Sequence, residues 1–389
     1  MTALRHRAAF LDDPALGRVL DAVPEARIVG GAVRDALAHR PVADIDLASP
    51  LPPDAVMARL RAAGLKAVPT GIAHGTVTAV ADHRGFEITT LRRDIETDGR
   101  HAVVAFTDDW RADAARRDFT INAMSMTRDG AVFDYFGGAA DLGAGLVRFV
   151  GDAATRIAED YLRILRFFRF HARYGTAPPD AAATAAIAQG VPGLARLSAE
   201  RVWGELKRIL AAPAPCAAIA LMDRLGVLRA TVPQGTSLAG LQALVARDAP
   251  ADPVLRLAAL LDGDAAAVAD RLRLSGEERD RLLTLRGGAA LGPHATDDDL
   301  RRARAGAPAA LLIGRAWLAH GDAGLIARLA AMPAPVFPLR GRDLAAAGVP
   351  AGAAMGALLR DLRDWWLQGG CRADAAACRA EMARRRAVS

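Results

Sequence analysis

Short apolar runs typical of β-strands alternate with helical segments from about residue 25 to residue 150. The predicted strands, rich in β-branched and other apolar residues, are Ala26–Val29, Asp44–Leu47, Thr76–Val80, Phe86–Thr90, Ala131–Phe133 and Val147–Val150. Helices are predicted between strands at Gly31–Ala38 and Pro53–Ala63. After residue 150 only helical periodicity continues, in segments that include Ala153–Tyr174, Pro179–Gln189, Ala199–Ala212 and Pro215–Leu225. The pattern predicts an α+β protein with an N-terminal sheet domain and an all-helical remainder.

The length of the chain allows two or three domains, since it has 389 residues, of which 52% are apolar. No apolar stretch approaches the roughly 20 residues that a membrane span needs, and Asp12 and Asp13 interrupt any apolar signal sequence. Three cysteines, Cys216, Cys371 and Cys378, lack metal-ligand spacing and are predicted to be thiols in a reducing compartment. A membrane protein and a secreted disulfide scaffold are excluded, and the cytoplasm is the expected location.

Arginine carries almost all of the positive charge. The formal net charge is +6, the pI is about 9.8, and lysine occurs only at Lys66 and Lys207. A GC-rich genome explains such an excess. A phosphate-rich partner explains it too, because the planar guanidinium binds phosphate through two parallel hydrogen bonds.

One run, IVGGAVRDALAHRPVADIDLASP at residues 28–50, combines a glycine turn with a pair of aspartates. Gly30 and Gly31 allow a ligand to approach the backbone where a helix begins, and Arg34 in that helix suits a phosphate. Asp44 and Asp46, two residues apart on a predicted strand, project from the same face. Two carboxylates that close repel each other unless a hard cation lies between them, as in two-metal phosphoryl transfer.

This run resembles the signature of the DNA polymerase β-type nucleotidyltransferase superfamily. Within it, the chain is similar to the bacterial CCA-adding tRNA nucleotidyltransferase and poly(A) polymerase family, the class II branch. Over roughly the first 210 residues, further blocks follow in the family's order: HGTVTAV (74–80), GFEITTLRRDIETDGR (85–100), RRDFTINAMSM (116–126), DYFGGAADL (134–142), EDYLRILRFFRF (159–170) and SAERVWGEL (198–206). The resemblance implies a polymerase β-like head with a small mixed sheet (residues 1–150), a helical neck that recognises the base (151–212), and a helical body and tail that bind RNA (213–389).

The resemblance also implies roles for single residues. Asp44 and Asp46 would hold two Mg²⁺ ions. Glu87, on a strand between apolar neighbours, is a candidate third carboxylate, although an outward-facing strand glutamate looks the same in sequence. In the RRDFT block, Arg117 would contact the nucleotide and Asp118 would lie near the sugar.

The neck block places four charged residues three apart, so a single helix would align Asp160, Arg163, Arg166 and Arg169 on one ridge. The resemblance assigns Asp160 and Arg163 to the base, and Arg166 and Arg169 to nearby nucleotide or helix contacts. A carboxylate accepts from the exocyclic amine of cytosine or adenine, whereas uracil and guanine present an acceptor there. A rearrangement of the Asp–Arg pair, coupled to a polar loop at 94–106 that contains Asp98, Gly99 and Arg100, would switch selection from C to A.

The expected function is template-independent addition or completion of the 3′-terminal CCA of tRNA from CTP and ATP, with tRNA as the partner and no protein partner implied. A poly(A) polymerase is the first alternative, but the stretch PTGIAHGTVTAV (69–80) lacks the basic aromatic element expected there. Enzymes that add only A or only CC stay open. A non-catalytic RNA-binding protein on the same scaffold would have no reason to keep the crowded Asp44 and Asp46.

Overall fold

A mixed eight-stranded sheet forms the core of the N-terminal part of the chain, in a computed structural model that describes residues 4–97, 102–292 and 294–388. The sheet strands, in chain order, are β1 (Leu4–Arg5), β2 (Arg27–Val29), β3 (Asp46–Ser49), β4 (Lys66–Gly71), β5 (Thr76–Ala81), β6 (Arg84–Thr90), β9 (Met124–Met126) and β10 (Ala131–Asp134). Two further strands, β7 (Arg92–Thr97) and β8 (Ala102–Phe106), pair as a separate antiparallel ribbon.

The order of strands in the sheet is β1-β10-β9-β2-β3-β6-β5-β4. β3 pairs with β6 in parallel, and its other neighbour, β2, is antiparallel to it. One face of the sheet is covered by apolar side chains of α1 (Pro14–Ala22), α2 (Gly31–Leu37) and α3 (Pro53–Ala62), which bury Ile28, Leu47 and Ile88 completely or nearly so. The central position of β3 therefore fixes Asp46 at the middle of the sheet, between the glycine turn after β2 and the acidic residue of β6.

The rest of the chain contributes helices. In the first compact unit, which ends at Pro233, they are α4 (Trp110–Ala115), α5 (Gly138–Ala144), α6 (Ala153–Glu159), α7 (Leu162–Tyr174), α8 (Ala181–Gly190), α9 (Ala199–Leu210), α10 (Cys216–Arg224) and α11 (Val227–Thr231). The second unit, from Gln234, contains α12 (Leu238–Val245), α13 (Pro253–Leu260), α14 (Ala265–Leu272), α15 (Gly276–Arg286), α16 (Asp297–Gly306), α17 (Ala309–Leu318), α18 (Ala323–Ala331), α19 (Gly341–Ala346), α20 (Ala353–Gln368) and α21 (Ala375–Val388). Within the described residues, no helix has the length and apolarity required to cross a membrane.

An aromatic cluster joins the sheet domain to the first helices after it. Phe119, which follows the buried Asp118, packs 4.8 Å from Phe149 and 5.2 Å from Phe170, measured between ring centroids. Phe167 of α7 lies 6.3 Å from Phe119 and stacks on Phe149 at 6.1 Å. Because these rings are almost completely buried, the RRDFT segment and α7 are held as one body.

The predicted α+β class, with a sheet in the N-terminal domain and helices after residue 150, is confirmed. The strand predicted at Val147–Val150 is wrong: the segment forms one isolated bridge, between Phe119 and Phe149, and no ladder. The strand predicted at Asp44–Leu47 begins two residues later, at Asp46. The finer boundaries at residues 150 and 212 stay predictions, while the compact units divide after Pro233.

Two other expectations need correction. The helix predicted over Ala153–Tyr174 is two helices, α6 and α7, because the backbone at Asp160 is extended (φ −153°, ψ 107°). The segment expected to be a loop at 94–106 contributes strands to the β7–β8 ribbon on both sides. Asp98, Gly99 and Arg100, singled out in that loop, lie outside the described residues.

Candidate active site

The glycine turn after β2 is shaped by a close approach of Arg117. Gly30 has φ +67°, a conformation that favours glycine, and a Cβ there would lie 2.8 Å from Arg117 Nη1. At Gly31 a Cβ would meet its nearest neighbour, Arg34 Nη2, at an ordinary 3.6 Å. Glycine is therefore required at Gly30 by the backbone conformation (φ 67°, ψ −120°), and a side chain there would displace the end of the Arg117 guanidinium.

Three carboxylates predicted to be catalytic lie near the start of β3. Asp46 is its first residue, Asp44 precedes it by two, and both side chains are exposed. The parallel pairing of Leu47 with Ile88 places Glu87 of β6 beside Asp46. Burial raises the pKa of Asp46, the nearby Arg117 lowers it and the charge of Asp44 raises it further, with a net upward shift.

Asp46 and Glu87 line a cavity of about 240 Å³, called the smaller cavity below, together with Val29, Leu47, Ala48, Thr89, Arg92, Asp113, Arg116 and Arg117. Asp44 is not among its lining residues. The side-chain carboxylates of Asp44, Asp46 and Glu87 make no hydrogen bond or ion pair with any other described residue. Exposed carboxylate oxygens without such partners are the donor set that Mg²⁺ prefers. In the described part of the chain, however, no three His, Cys, Asp or Glu side chains converge as a preformed metal site.

A second cavity, of about 430 Å³ and called the larger cavity, lies between the glycine turn and the start of α7. It is lined by Gly30, Gly31, Arg34, Arg116, Arg117, Asp118, Asn122, Asp160, Leu162, Arg163, Arg166, Phe170 and Arg201. The structure thus brings together all the predicted nucleotide-binding residues except Arg169. Arg116 and Arg117 line both cavities, so these two side chains connect the carboxylates to the larger cavity.

Asp118 is the most heavily bonded acid of the larger cavity. It is 7% exposed, and its Oδ1 accepts from the Phe119 amide at 2.9 Å and from Asn122 Nδ2 at 3.0 Å. Its Oδ2 accepts from Arg166 Nε at 2.7 Å. Burial pushes the pKa of Asp118 upwards, but the charge of Arg166 and these hydrogen bonds hold it below its usual value. The carboxylate therefore stays ionised and fixes Arg166 at the cavity wall.

Arg34 is held by residues of the protein itself. Its Nη1 donates to Asn122 Oδ1 at 2.6 Å, and its Nε donates to Asp35 Oδ1 at 3.0 Å. The guanidinium also lies 4.6 Å from the ring of Tyr174 and 5.1 Å from that of Phe170. These contacts fix the direction in which Arg34 faces the larger cavity.

Asp160 and Arg163 both reach the larger cavity, but the predicted ridge on one helix is wrong for Asp160. Asp160 lies in the break before α7, and its Oδ1 accepts from the amide of Leu162, the first residue of that helix, at 3.0 Å. Its Oδ2 pairs with Arg201 at 2.7 Å. Arg163 pairs instead with Glu159. The two predicted base-contacting residues are therefore not bonded to each other.

The sequence did not predict Arg201, which lines the larger cavity, or Glu159, which pairs with Arg163. Both lie inside blocks that carried the resemblance, EDYLR and SAERVWGEL, so the signal was present but the partner of each predicted residue was not deducible from spacing. Arg169, by contrast, does not line the larger cavity and pairs with the buried Glu205 of α9 at 2.7 Å. Its contact joins α7 to α9.

Comparison with known proteins gives consistent matches along the chain. Residues 26–148 match the family described as "Poly A polymerase head domain", and residues 180–238 match "Probable RNA and SrmB- binding site of polymerase A". CCA tRNA nucleotidyltransferase 1, mitochondrial, of Mus musculus is 39% identical over 90% of this chain and 84% of its own length. The CCA-adding enzyme of Leuconostoc mesenteroides is 40% identical over 52% of this chain and 50% of its own. The crystal structure of the Bacillus stearothermophilus CCA-adding enzyme in complex with CTP matches with a TM-score of 0.76 and 26% identity, over 97% of this chain and 98% of that one.

Proposed function

Because the chain belongs to the family of CCA-adding tRNA nucleotidyltransferases, we propose that it adds cytidine and adenosine to the 3′ end of tRNA from CTP and ATP, releasing pyrophosphate. The observation that carries the proposal is that the two cavities share lining residues. Arg116 and Arg117 line both of them, so a nucleotide in the larger cavity would have its phosphates beside Asp46 and Glu87. Its base would then face the end of the cavity formed by Asp160, Arg163 and Arg201.

Base selection follows from the donor and acceptor chemistry at that end. Asp160 is only an acceptor, and its two contacts leave acceptor capacity on the carboxylate for the exocyclic amine of cytosine or adenine. The contacts of Arg163 with described residues all pass through Nη1, which leaves its other N–H groups as donors for ring acceptors. Uracil and guanine would place a carbonyl oxygen against Asp160, at a cost of about 1–3 kcal/mol for each unmade bond. The protein therefore selects C and A without a template strand.

The phosphates would be held by arginines whose direction is already fixed. Arg117 Nη2 donates to Asp113 at 3.4 Å and Arg34 donates to Asn122, so neither side chain needs to be ordered when the nucleotide binds. Asp44 and Asp46, with Glu87 as a third candidate, would hold Mg²⁺. When bound, the metal lowers the pKa of the RNA 3′-hydroxyl and neutralises charge on the leaving pyrophosphate.

The cytoplasm is the location that we propose. Cys216, Cys371 and Cys378, all within the described residues, form no disulfide, as expected of thiols in a reducing compartment. Among the relatives is a protein named as mitochondrial, so a tagged copy of the chain should be located by fractionation of its native cells.

The experiment is a gel assay with radiolabelled CTP or ATP on tRNA that lacks its last three nucleotides, on tRNA that ends in CC, and on an unrelated RNA, all with Mg²⁺. Addition of two C and then one A, on tRNA alone, is expected. Asp44→Ala should abolish addition, whereas Asp54→Ala, which changes an exposed aspartate of α3, should not. Long A tracts on any RNA would identify a poly(A) polymerase, addition to only one of the tRNAs a partial enzyme, and no incorporation a binding protein.

A further inference from the structure

Arg156 of α6 lies between the two segments that define the candidate site, although it lines neither cavity. It is 9% exposed. Its Nη2 donates to the backbone carbonyl of Arg117 at 2.9 Å and also to that of Arg116. These two carbonyls belong to the residues that connect the smaller cavity to the larger one, so Arg156 holds their backbone from the helical side.

The other half of the same guanidinium reaches the base end of the larger cavity. Arg156 Nη1 donates to both carboxylate oxygens of Glu159, at 2.9 and 2.7 Å. Glu159 in turn pairs with Arg163, and Arg163 Nη1 also donates to the backbone carbonyl of Arg156 at 2.7 Å. Through its side chain and its backbone, Arg156 therefore fixes the partner and the position of the residue that would donate to the base.

We propose that Arg156 is a positioning residue that couples base selection to triphosphate binding. The inference rests on the proposed function, in that it takes Arg163 as a base-contacting residue and Arg117 as a phosphate-contacting one. A shift of Glu159 or Arg163 on base binding would move the Arg156 guanidinium, and that guanidinium holds the Arg116 and Arg117 carbonyls. A nucleotide with the wrong base would thus leave the phosphate arginines displaced.

Arginine is required for this role because one rigid fork makes all four contacts. A lysine ammonium could keep the ion pair with Glu159, but it has a single nitrogen and could not also span to the two carbonyls in the same geometry. Arg156→Lys therefore keeps the ion pair with Glu159 and loses the contacts with the two carbonyls. Arg156→Met removes both and keeps an unbranched side chain that extends about as far as the Arg156 Nε.

The test measures CTP and UTP binding by equilibrium dialysis without tRNA, single-nucleotide addition kinetics with tRNA, and thermal unfolding. The matched control is Arg40→Met. Like Arg156, Arg40 donates from its guanidinium to a backbone carbonyl, in this case that of Arg173 in α7 at 2.8 Å, but it lines neither cavity. For Arg156→Met we expect CTP affinity to fall about tenfold or more, and the CTP-to-UTP affinity ratio to fall by a similar factor. Arg40→Met should change neither. Arg156→Lys should unfold close to the wild-type temperature and keep part of the base preference, with CTP affinity and KM still impaired.

The proposal is overturned if Arg156→Met, folded by thermal unfolding, keeps both the CTP affinity and the CTP-to-UTP ratio within twofold of the wild type. If Arg156→Met does not fold, Arg156→Lys decides in the same way through its CTP affinity. Equal binding of CTP and UTP by the wild type would also overturn it, because no base preference would exist to be coupled. The dialysis measurement does not depend on CCA addition. A wild-type protein that prefers CTP to UTP but extends no tRNA would therefore refute the proposed function and leave the proposal for Arg156 standing.

Discussion

Asp160→Asn is expected to weaken the discrimination of the protein against UTP. The substitution keeps the size of the side chain and one oxygen, which can still accept from the Leu162 amide as Asp160 Oδ1 does at 3.0 Å. It removes the negative charge that pairs with Arg201 at 2.7 Å, and it introduces an NH₂ group. That NH₂ can donate to the O4 of uracil, whereas the carboxylate would have faced it acceptor to acceptor.

The magnitude follows from two contributions. A hydrogen bond from the cytosine amine to a carboxylate contributes about 1.5–3 kcal/mol, and a neutral bond about 1 kcal/mol, so CTP loses about 1 kcal/mol. The penalty of about 1–3 kcal/mol for an unpaired uracil O4 is relieved in the variant. The Asp160 side chain is 23% exposed, so water compensates part of the penalty for the unpaired oxygen, and its lower limit of about 1 kcal/mol applies. Discrimination should then fall by about 2 kcal/mol, which is about 30-fold.

The assay is single-turnover incorporation of CTP and of UTP on tRNA that lacks its CCA end, with the ratio of the two kcat/KM values as the readout. Asp180→Asn is the control, because Asp180 also accepts from a helix amide, that of Ala183 at 2.9 Å, but does not line the larger cavity. Asparagine caps helices about as well as aspartate, so the control should keep both stability and selectivity. A CTP-to-UTP ratio for Asp160→Asn within twofold of the wild type would refute the assignment of Asp160 to the base.

Three further predictions concern the residues that hold the site in place. Gly30→Ala strains a backbone with φ +67° and puts a Cβ 2.8 Å from Arg117 Nη1, so it should raise KM for CTP at least about tenfold in steady-state assays. Asp113→Asn removes the charge of the buried partner of Arg117 and so weakens the hold on that arginine, and equilibrium dialysis should show a loss of about 1–2 kcal/mol of nucleotide affinity. Asp118→Asn removes the ionised partner of Arg166 and should cost about 2 kcal/mol in urea unfolding at pH 7. Because the pKa of Asp118 is below its ordinary 3.8, this stabilisation is fully present above about pH 4 and is lost as the pH falls through the lower folded value, so the difference should shrink in acid.

Gly30→Ala and Asp113→Asn each have a control variant in the same unit, and Asp118→Asn is checked by the pH dependence of its own deficit. Gly64→Ala also puts a side chain on a residue with positive φ, +73°, but there a Cβ would meet nothing within 4 Å, and it should leave KM unchanged. Asp109→Asn changes an exposed cap of α4, where the Arg111 amide donates at 2.8 Å, without reaching Arg117. A wild-type KM for Gly30→Ala, wild-type affinity for Asp113→Asn, or a pH-independent deficit for Asp118→Asn would contradict the corresponding argument.

The sequence was sufficient for the parts of the fold that local pattern determines. β5 and β6 lie within one or two residues of the runs predicted at Thr76–Val80 and Phe86–Thr90, because buried residues alternate with half-buried or exposed ones along both strands. Val147–Val150 has equally strong strand composition, but the Thr120 amide donates to Arg148 and the Val150 amide to Asp118, which uses the segment's hydrogen bonds in a single bridge. Whether an apolar segment pairs with a neighbouring strand depends on which segment the tertiary fold places beside it, and composition does not determine that.

For the candidate site, the sequence supplied the residue types and missed the pairings. A constant spacing of three predicted Asp160 and Arg163 on one ridge, yet the extended backbone at Asp160 turns its carboxylate to Arg201, 41 residues further along the chain. Pairings across such separations are tertiary contacts, and no periodicity encodes them. Local motif order therefore located the cavity, whereas the direction of each side chain within it required the packing of α6, α7 and α9.

The arginine excess, which composition left open between codon usage and a phosphate partner, has a structural reason at the larger cavity. Five arginines of the larger cavity each use one part of the guanidinium for a different internal carboxylate, and the rest of the fork can still donate to a ligand. The pairs are Arg34 with Asp35, Arg117 with Asp113, Arg163 with Glu159, Arg166 with Asp118 and Arg201 with Asp160. A lysine, with one nitrogen, would have to choose between its internal partner and the ligand. Codon usage can account for arginines on the outer surface. It does not account for an acidic partner at each of these five, whereas preorganisation does, because each pair fixes the direction of the donors before a nucleotide arrives.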